Sequence, residues 1–161
     1  GSEMCIRDRD ITDINQIAFV SMVQYWSAYI HSSTISDDNQ YLYIQDEHST
    51  VINQSNNQAV VNISYITQPR IEQLFCFSCT SSIHHAVMHD HYLLTSHYTE
   101  GLVVLDMSIP TQPIGVYQFD TFPEHDHNEF DGAWGVTIDQ DTRHIFVSDI
   151  SNGLFIFKWD F

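Results

Sequence analysis

YLLTSHYTEGLVVLD, residues 92–106, aligns without a gap on HIFVSDISNGLFIFK, residues 144–158, placing Ser96 on Ser148, Gly101 on Gly153 and Leu102 on Leu154. The displacement is 52 positions. A third copy opens at YLYIQDE (41–47), 51 positions before Tyr92, and its later part, VNISYITQP (61–69), matches LDMSIPTQP (105–113) at Ser, Thr, Gln and Pro. Units of this length are the signature of stacked supersecondary repeats, and one blade of a β-propeller, a four-stranded antiparallel sheet, takes roughly 40 to 50 residues.

Helical repeats of similar length do not fit. The segments are short, rich in Val, Ile, Tyr and Phe, and punctuated by Asp, Asn, Gly or Pro about every 8 to 12 residues. Residues 83–120 read as one blade. A strand near 83–88 turns at His89-Asp90-His91, and a second covers 92–97. Thr99-Glu100-Gly101 leads into a third over 102–106, and Pro110 and Pro113 bracket the loop to a fourth over 114–119. Asn152-Gly153 replaces Glu100-Gly101 in the next copy, and Asn-Gly is a strong hairpin signal because both residues tolerate positive φ. DDNQ (37–40) and DQDTR (139–143) serve as the first turns of their own blades. The sequence therefore predicts an all-β, β-propeller-like fold of about three four-stranded antiparallel blades, over 15–77, 81–120 and 130–161. Propellers typically close with four to eight blades. Either further blades precede these, which we favour, or copies associate to complete the circle.

The chain of 161 residues, 43% hydrophobic, is long enough to bury a core. No apolar run reaches the roughly 18 to 20 residues of a membrane helix, so direct membrane insertion is not expected. Twenty-one acidic residues against 5 basic ones give a formal net charge of −16, which opposes binding to a phosphate backbone and makes nucleic acid a poor partner. Residues 1–9, GSEMCIRDR, show neither strand alternation nor a helical stripe. SEMCIRDR resembles translated sequencing-adapter read-through and Gly1-Ser2 a cloning scar, so this leader is set aside from the functional reading. On that view the natural gene is expected to extend upstream, and a signal peptide, if the gene encodes one, would lie in that part. Cys76 and Cys79, as CFSC, are compatible with a close disulfide or with free thiols; one CxxC without a second pair is not a structural zinc site.

IHHAVMHDHYLLTSHYTEGLVVLDMSIPTQPIGVYQFDTFP, followed by FDGAWGV and VSDISNGLFIF, resembles the LVIVD-repeat proteins and most closely the choice-of-anchor B family, over about residues 15–158. ISDDNQYLYIQDE resembles the run before that family's acidic pair. The resemblance implies a propeller-like protein exported to the bacterial surface or periplasm, and it implies a site histidine at His85. The family tends to show His-Asn where this chain has His85-Ala86, and Ser-Asn-Tyr where it has Ser96-His97-Tyr98.

In such a blade the loop between the second and third strands shares a face with the loop entering the next inner strand. That rule gathers Asp46 and Glu47, His97 and Tyr98, and Asp149 with His84, His85, Asp131 and Trp134 at one rim. DTFPEHDHNEFDGAW adds Asp120, Glu124, His125, Asp126 and His127. Alternation along a strand sends His84 and His85 to opposite faces, and we expect His85 to face the channel. Trp134 is expected either to plug a blade interface or to stack on a ligand. His89 and His91 fall on the opposite rim.

His85, His97, Tyr98, Trp134 and Glu47 are thus the expected ligand-binding residues, and His85, His97, Asp131, Asp149 and Asp46 the expected metal ligands. Carboxylates favour Ca²⁺, whereas imidazoles mixed with carboxylates favour Zn²⁺. Asp106 and Asp120 are expected to cap turns. Neither an HExxH nor a GxSxG motif is present, and Ser96 and Ser148 lie inside repeated strands. The function expected is recognition of a surface ligand or protein by an exported module. The alternative is a metal-dependent hydrolase or lactonase-like enzyme with its metal in the channel.

Overall fold

A computed structural model describes residues 6–24, 29–47, 58–77, 79–124 and 130–160. Strands β1 (Ile6–Asp10) and β2 (Ala18–Val23) form a hairpin. Four strands, β3 (Ile30–Ile35), β4 (Tyr41–Asp46), β5 (Gln58–Asn62) and β6 (Arg70–Phe75), form a meander in that order. A second meander contains β7 (His85–His89), β8 (Tyr92–His97), β9 (Gly101–Asp106) and β10 (Ile114–Phe119). The last sheet contains β11 (Ala133–Asp139), β12 (His144–Asp149) and β13 (Gly153–Lys158). All pairings are antiparallel.

The middle blade falls where the sequence places it. The first differs in extent: its sheet starts at Ile30, because Ala18–Val23 pairs with Ile6–Asp10, part of which was set aside as leader. The last sheet has three strands among the described residues, where four were expected.

Local chemistry repeats with the blades. Asn39, Asp90 and Arg143, with φ of 57°, 52° and 57°, each carry the left-handed residue of the turn between first and second strands. Asp10 Oδ1 accepts the Thr12 N–H at 2.9 Å, Asn62 Oδ1 that of Ser64 at 3.0 Å, and Asp106 Oδ1 that of Ser108 at 2.8 Å. These are the same side-chain-closed turn between third and fourth strands. Val20, Glu72 and Val116 each stand as the extra residue of a bulge in the strand that follows. The β1–β2 hairpin therefore repeats the outer half of a blade.

Apolar side chains pack between successive sheets. Val23 meets Ile44, Ala59 and Val61; Tyr43 and Val60 meet Ala86, Leu93, Val103 and Leu105; Leu94, Leu102 and Val104 meet Ala133, Val136, Ile145 and Val147. Neighbours along β8 and β9 alternate between the second and third of these layers, so the middle sheet is covered on both faces. That is why Leu102–Leu105 reads as an unbroken apolar run. Leu154, the repeat partner of the fully buried Leu102, is 62% exposed, because it lies on a sheet with no neighbour on that side among the described residues.

Candidate functional site

The first strands β3, β7 and β11 lie side by side. Each enters its sheet through the same irregularity. Ile30 pairs with Asp46 and Ser32 with Gln45, leaving His31 as the extra residue; Ala133 pairs with Asp149 and Gly135 with Ser148, leaving Trp134. In the middle blade the N–H of His84 and that of His85 both reach Ser96, the first at its carbonyl (3.0 Å), the second at its hydroxyl (3.1 Å). Such a bulge re-aims one side chain out of the pleat. His31, His84 and Trp134 are thus equivalent positions, turned the same way.

They form a stack. The rings of His31 and His84 lie 4.2 Å apart and those of His84 and Trp134 4.4 Å apart, the latter pair close to parallel at 29°. His84, the middle ring, is 7% exposed, whereas the outer two, His31 and Trp134, are exposed, Trp134 to 50%. A second set of equivalent positions, Glu47, Tyr98 and Ile150, follows the ends of the second strands. Tyr98 donates its hydroxyl to Glu47 Oε1 at 2.5 Å and meets Phe130 edge-on at 5.2 Å. Burial, then the bond to Glu47, holds the Tyr98 phenol well above its usual range. Gly132 takes a left-handed φ of 93°, and a Cβ there would collide with the Tyr98 carbonyl, so glycine lets the entry loop of the last blade close against the middle one.

His31 Nδ1–H donates to the His84 carbonyl at 3.3 Å, which leaves Nε2 as the free nitrogen, 3.9 Å from Glu47 Oε2. One ligand atom from each of His31, Glu47 and His84 lies within 4.8 Å of the others. Burial, reinforced by His31, holds the His84 imidazole below its ordinary pKa and keeps it neutral. Two imidazoles and one carboxylate form the donor set of a borderline transition ion, not of Ca²⁺, which takes six to eight oxygens.

Glu47, Tyr98 and Trp134 are brought together around His84. His85 is not with them: its Nδ1–H donates to the Val136 carbonyl at 3.0 Å, bracing two blades, and its neighbour His84 enters the cluster. None of His85, His97, Asp131, Asp149 and Asp46 belongs to the three-residue group found among the described residues. Asp131 Oδ1 accepts from Gly132 N–H (2.8 Å) and the Ser151 hydroxyl (2.7 Å), and Asp149 Oδ1 from the N–H groups of Ser151 (3.0 Å) and Asn152 (2.7 Å). These carboxylates hold turns. Asp46 is fully buried. His97, at the position of Asp46 and Asp149, is also fully buried; neither ring nitrogen has a hydrogen-bond partner, and burial depresses its pKa to about 3. Asp106 caps its turn, and Asp120 Oδ1 accepts the Phe122 N–H at 2.7 Å. Exposed Glu124 lies apart, while His125, Asp126 and His127 fall outside the described residues.

Sequence reasoning missed His31. The signal was present: extending the alignment back through the turns sets YIHSS, SIHHA and GAWGV in register.

Antiparallel sheets stacked face to face, with inner strands adjacent and loops gathered at their ends, define a β-propeller. Solved structures agree. The chain is similar to a Lactobacillus plantarum protein (TM-score 0.69, 15% identity, 94% of this chain and 50% of that one) and to the Myceliophteria thermophila Cps50 (Swd1) β-propeller domain (TM-score 0.62, 10%, 89% and 44%). It is also similar to dihydro-heme d1 dehydrogenase NirN, solved in complex with DHE (TM-score 0.62, 11%, 98% and 31%). The chain thus spans 50% of the length of the first of these and less of the others. No family model and no curated protein sequence matches it.

Proposed function

We propose that this chain is an exported recognition module of the LVIVD-repeat kind, which takes a surface ligand in the cup formed by Trp134, His84, Tyr98, Glu47 and His31. The observation that carries the reading is the stack of three equivalent bulge residues, half-exposed at Trp134 and walled by Tyr98 and Phe130. A wide aromatic face beside a few fixed polar groups is the usual composition of a ligand site, and propellers place such sites where blade loops converge. The Cys76–Cys79 disulfide supports export, since such bonds persist in oxidising compartments.

Screening glycans and peptides against the chain and against Trp134→Ala tests it. Binders that the substitution removes are expected. Binders indifferent to Trp134→Ala and to Tyr98→Phe would move recognition elsewhere. Turnover of an ester or lactone by the chain, with no binder, would favour the metal-dependent hydrolase.

A further inference from the structure

We infer that His31, Glu47 and His84 form a transition-metal site of the Zn²⁺ class within this cup. The inference rests on the cup being the binding surface and adds what organises it. Three features point to a built site. His31 is oriented from behind: its Nδ1–H is committed to the His84 carbonyl, leaving the Nε2 lone pair toward Glu47, and metal-ligating histidines are held in this manner. Glu47 is oriented likewise, with one oxygen occupied by the Tyr98 hydroxyl and the other facing His31. His84 is nine-tenths buried, yet its Nδ1 has no hydrogen-bond partner.

The spacing also fits. Tetrahedral Zn²⁺ with bonds of about 2.0–2.2 Å sets ligand atoms roughly 3.3 Å apart. His31 Nε2 and Glu47 Oε2 stand at 3.9 Å and all three ligand atoms lie within 4.8 Å of one another, so rotamer adjustments of about 0.5 to 1.5 Å close the set. Three protein ligands leave a fourth position open. Trp134 and Ile150, at the two equivalent positions of the last blade, carry no ligating atom.

The test uses the whole tag-free chain, stripped with chelator and titrated with ZnCl₂ by calorimetry and with CoCl₂ by visible absorption. One tight Zn²⁺ per chain is expected, with the intense visible bands of four-coordinate Co²⁺. His31→Ala and Glu47→Gln should each weaken Zn²⁺ at least tenfold, and Tyr98→Phe, which loses only the support of Glu47, about tenfold. His91→Ala, on the opposite rim, should leave affinity unchanged. Melting each variant in chelator separates lost ligands from lost folding. The inference is overturned if no stoichiometric ion binds, if His31→Ala and Glu47→Gln keep wild-type affinity, or if His91→Ala weakens binding as much as they do. Capture of a glycan or peptide that depends on Trp134 but is equal with and without chelator would sink the metal site and leave the recognition reading standing.

Discussion

Replacing His97 with leucine should remove much of the acid sensitivity of the fold. His97 is fully buried with both ring nitrogens unpartnered, and burial alone depresses its pKa from 6.5 to about 3. The folded chain therefore keeps this imidazole neutral at pH 5, whereas the unfolded chain, with an ordinary imidazole, takes up a proton below about pH 6.5. The unfolded state then binds more protons, so stability is full above pH 6.5 and is lost as pH falls toward 3. Between pH 7.5 and 5.0 this linkage amounts to about 2 kcal/mol, or about 4 to 8 °C in melting temperature for a chain of this size. Urea unfolding of wild type and His97→Leu at both pH values isolates the contribution. His84, also depressed by burial, titrates in both proteins and cancels in the double difference. At pH 7.5 the variant should match or exceed the wild type, because leucine of similar volume leaves no polar atom stranded. Parallel losses in the two proteins between pH 7.5 and 5.0 would refute the burial of a neutral His97.

The repeat offers a matched pair. Leu102→Ala should cost about 2 to 5 kcal/mol by chemical denaturation, whereas Leu154→Ala should stay within about 0.5 kcal/mol. Gly132→Ala must fit a Cβ against the Tyr98 carbonyl at left-handed φ, and should cost about 1 to 3 kcal/mol in melting experiments while weakening whatever the cup binds. The row of Leu154 and Ile156, 62% and 59% exposed, lies on the edge strand β13 and invites pairing with a second copy. Sedimentation should show self-association that Leu154→Lys with Ile156→Lys reduces; identical distributions for the two proteins would count against that contact.

Strand periodicity and turn chemistry were legible because each is a local choice. Asp90 tolerates its left-handed φ, and Asp106 closes its own turn, whatever surrounds them. The face rule for loops was legible too, and it placed Glu47, Tyr98 and Trp134 at one rim. What failed was the pleat argument between His84 and His85. Strict alternation gives a single residue of a pair to each face, but the inner strand carries a bulge at its entry, and one extra residue reverses the assignment for everything before it. A bulge in one copy leaves no trace in sequence. Three copies do leave one, since His31, His84 and Trp134 share a position that neither strand pairing nor burial in a blade interface explains.

The charged residues were misread for a related reason. Asp131 and Asp149 have the composition of metal ligands, yet Oδ1 of each is taken by N–H groups and, for Asp131, a hydroxyl of the turns beside them, and neither residue joins His31, Glu47 and His84. A short acidic side chain at a strand end has backbone donors within reach before any ion arrives, and that local bond competes with ligation. Glu47 escapes the competition. It lies one residue past the strand, and Tyr98, 51 positions away in sequence but its equivalent in the neighbouring blade, holds one oxygen while the other stands 3.9 Å from His31 Nε2. Among the described carboxylates at this rim, it is the one that repeat geometry delivers to two imidazoles, which is why the site follows the blades' symmetry and not the density of acidic residues.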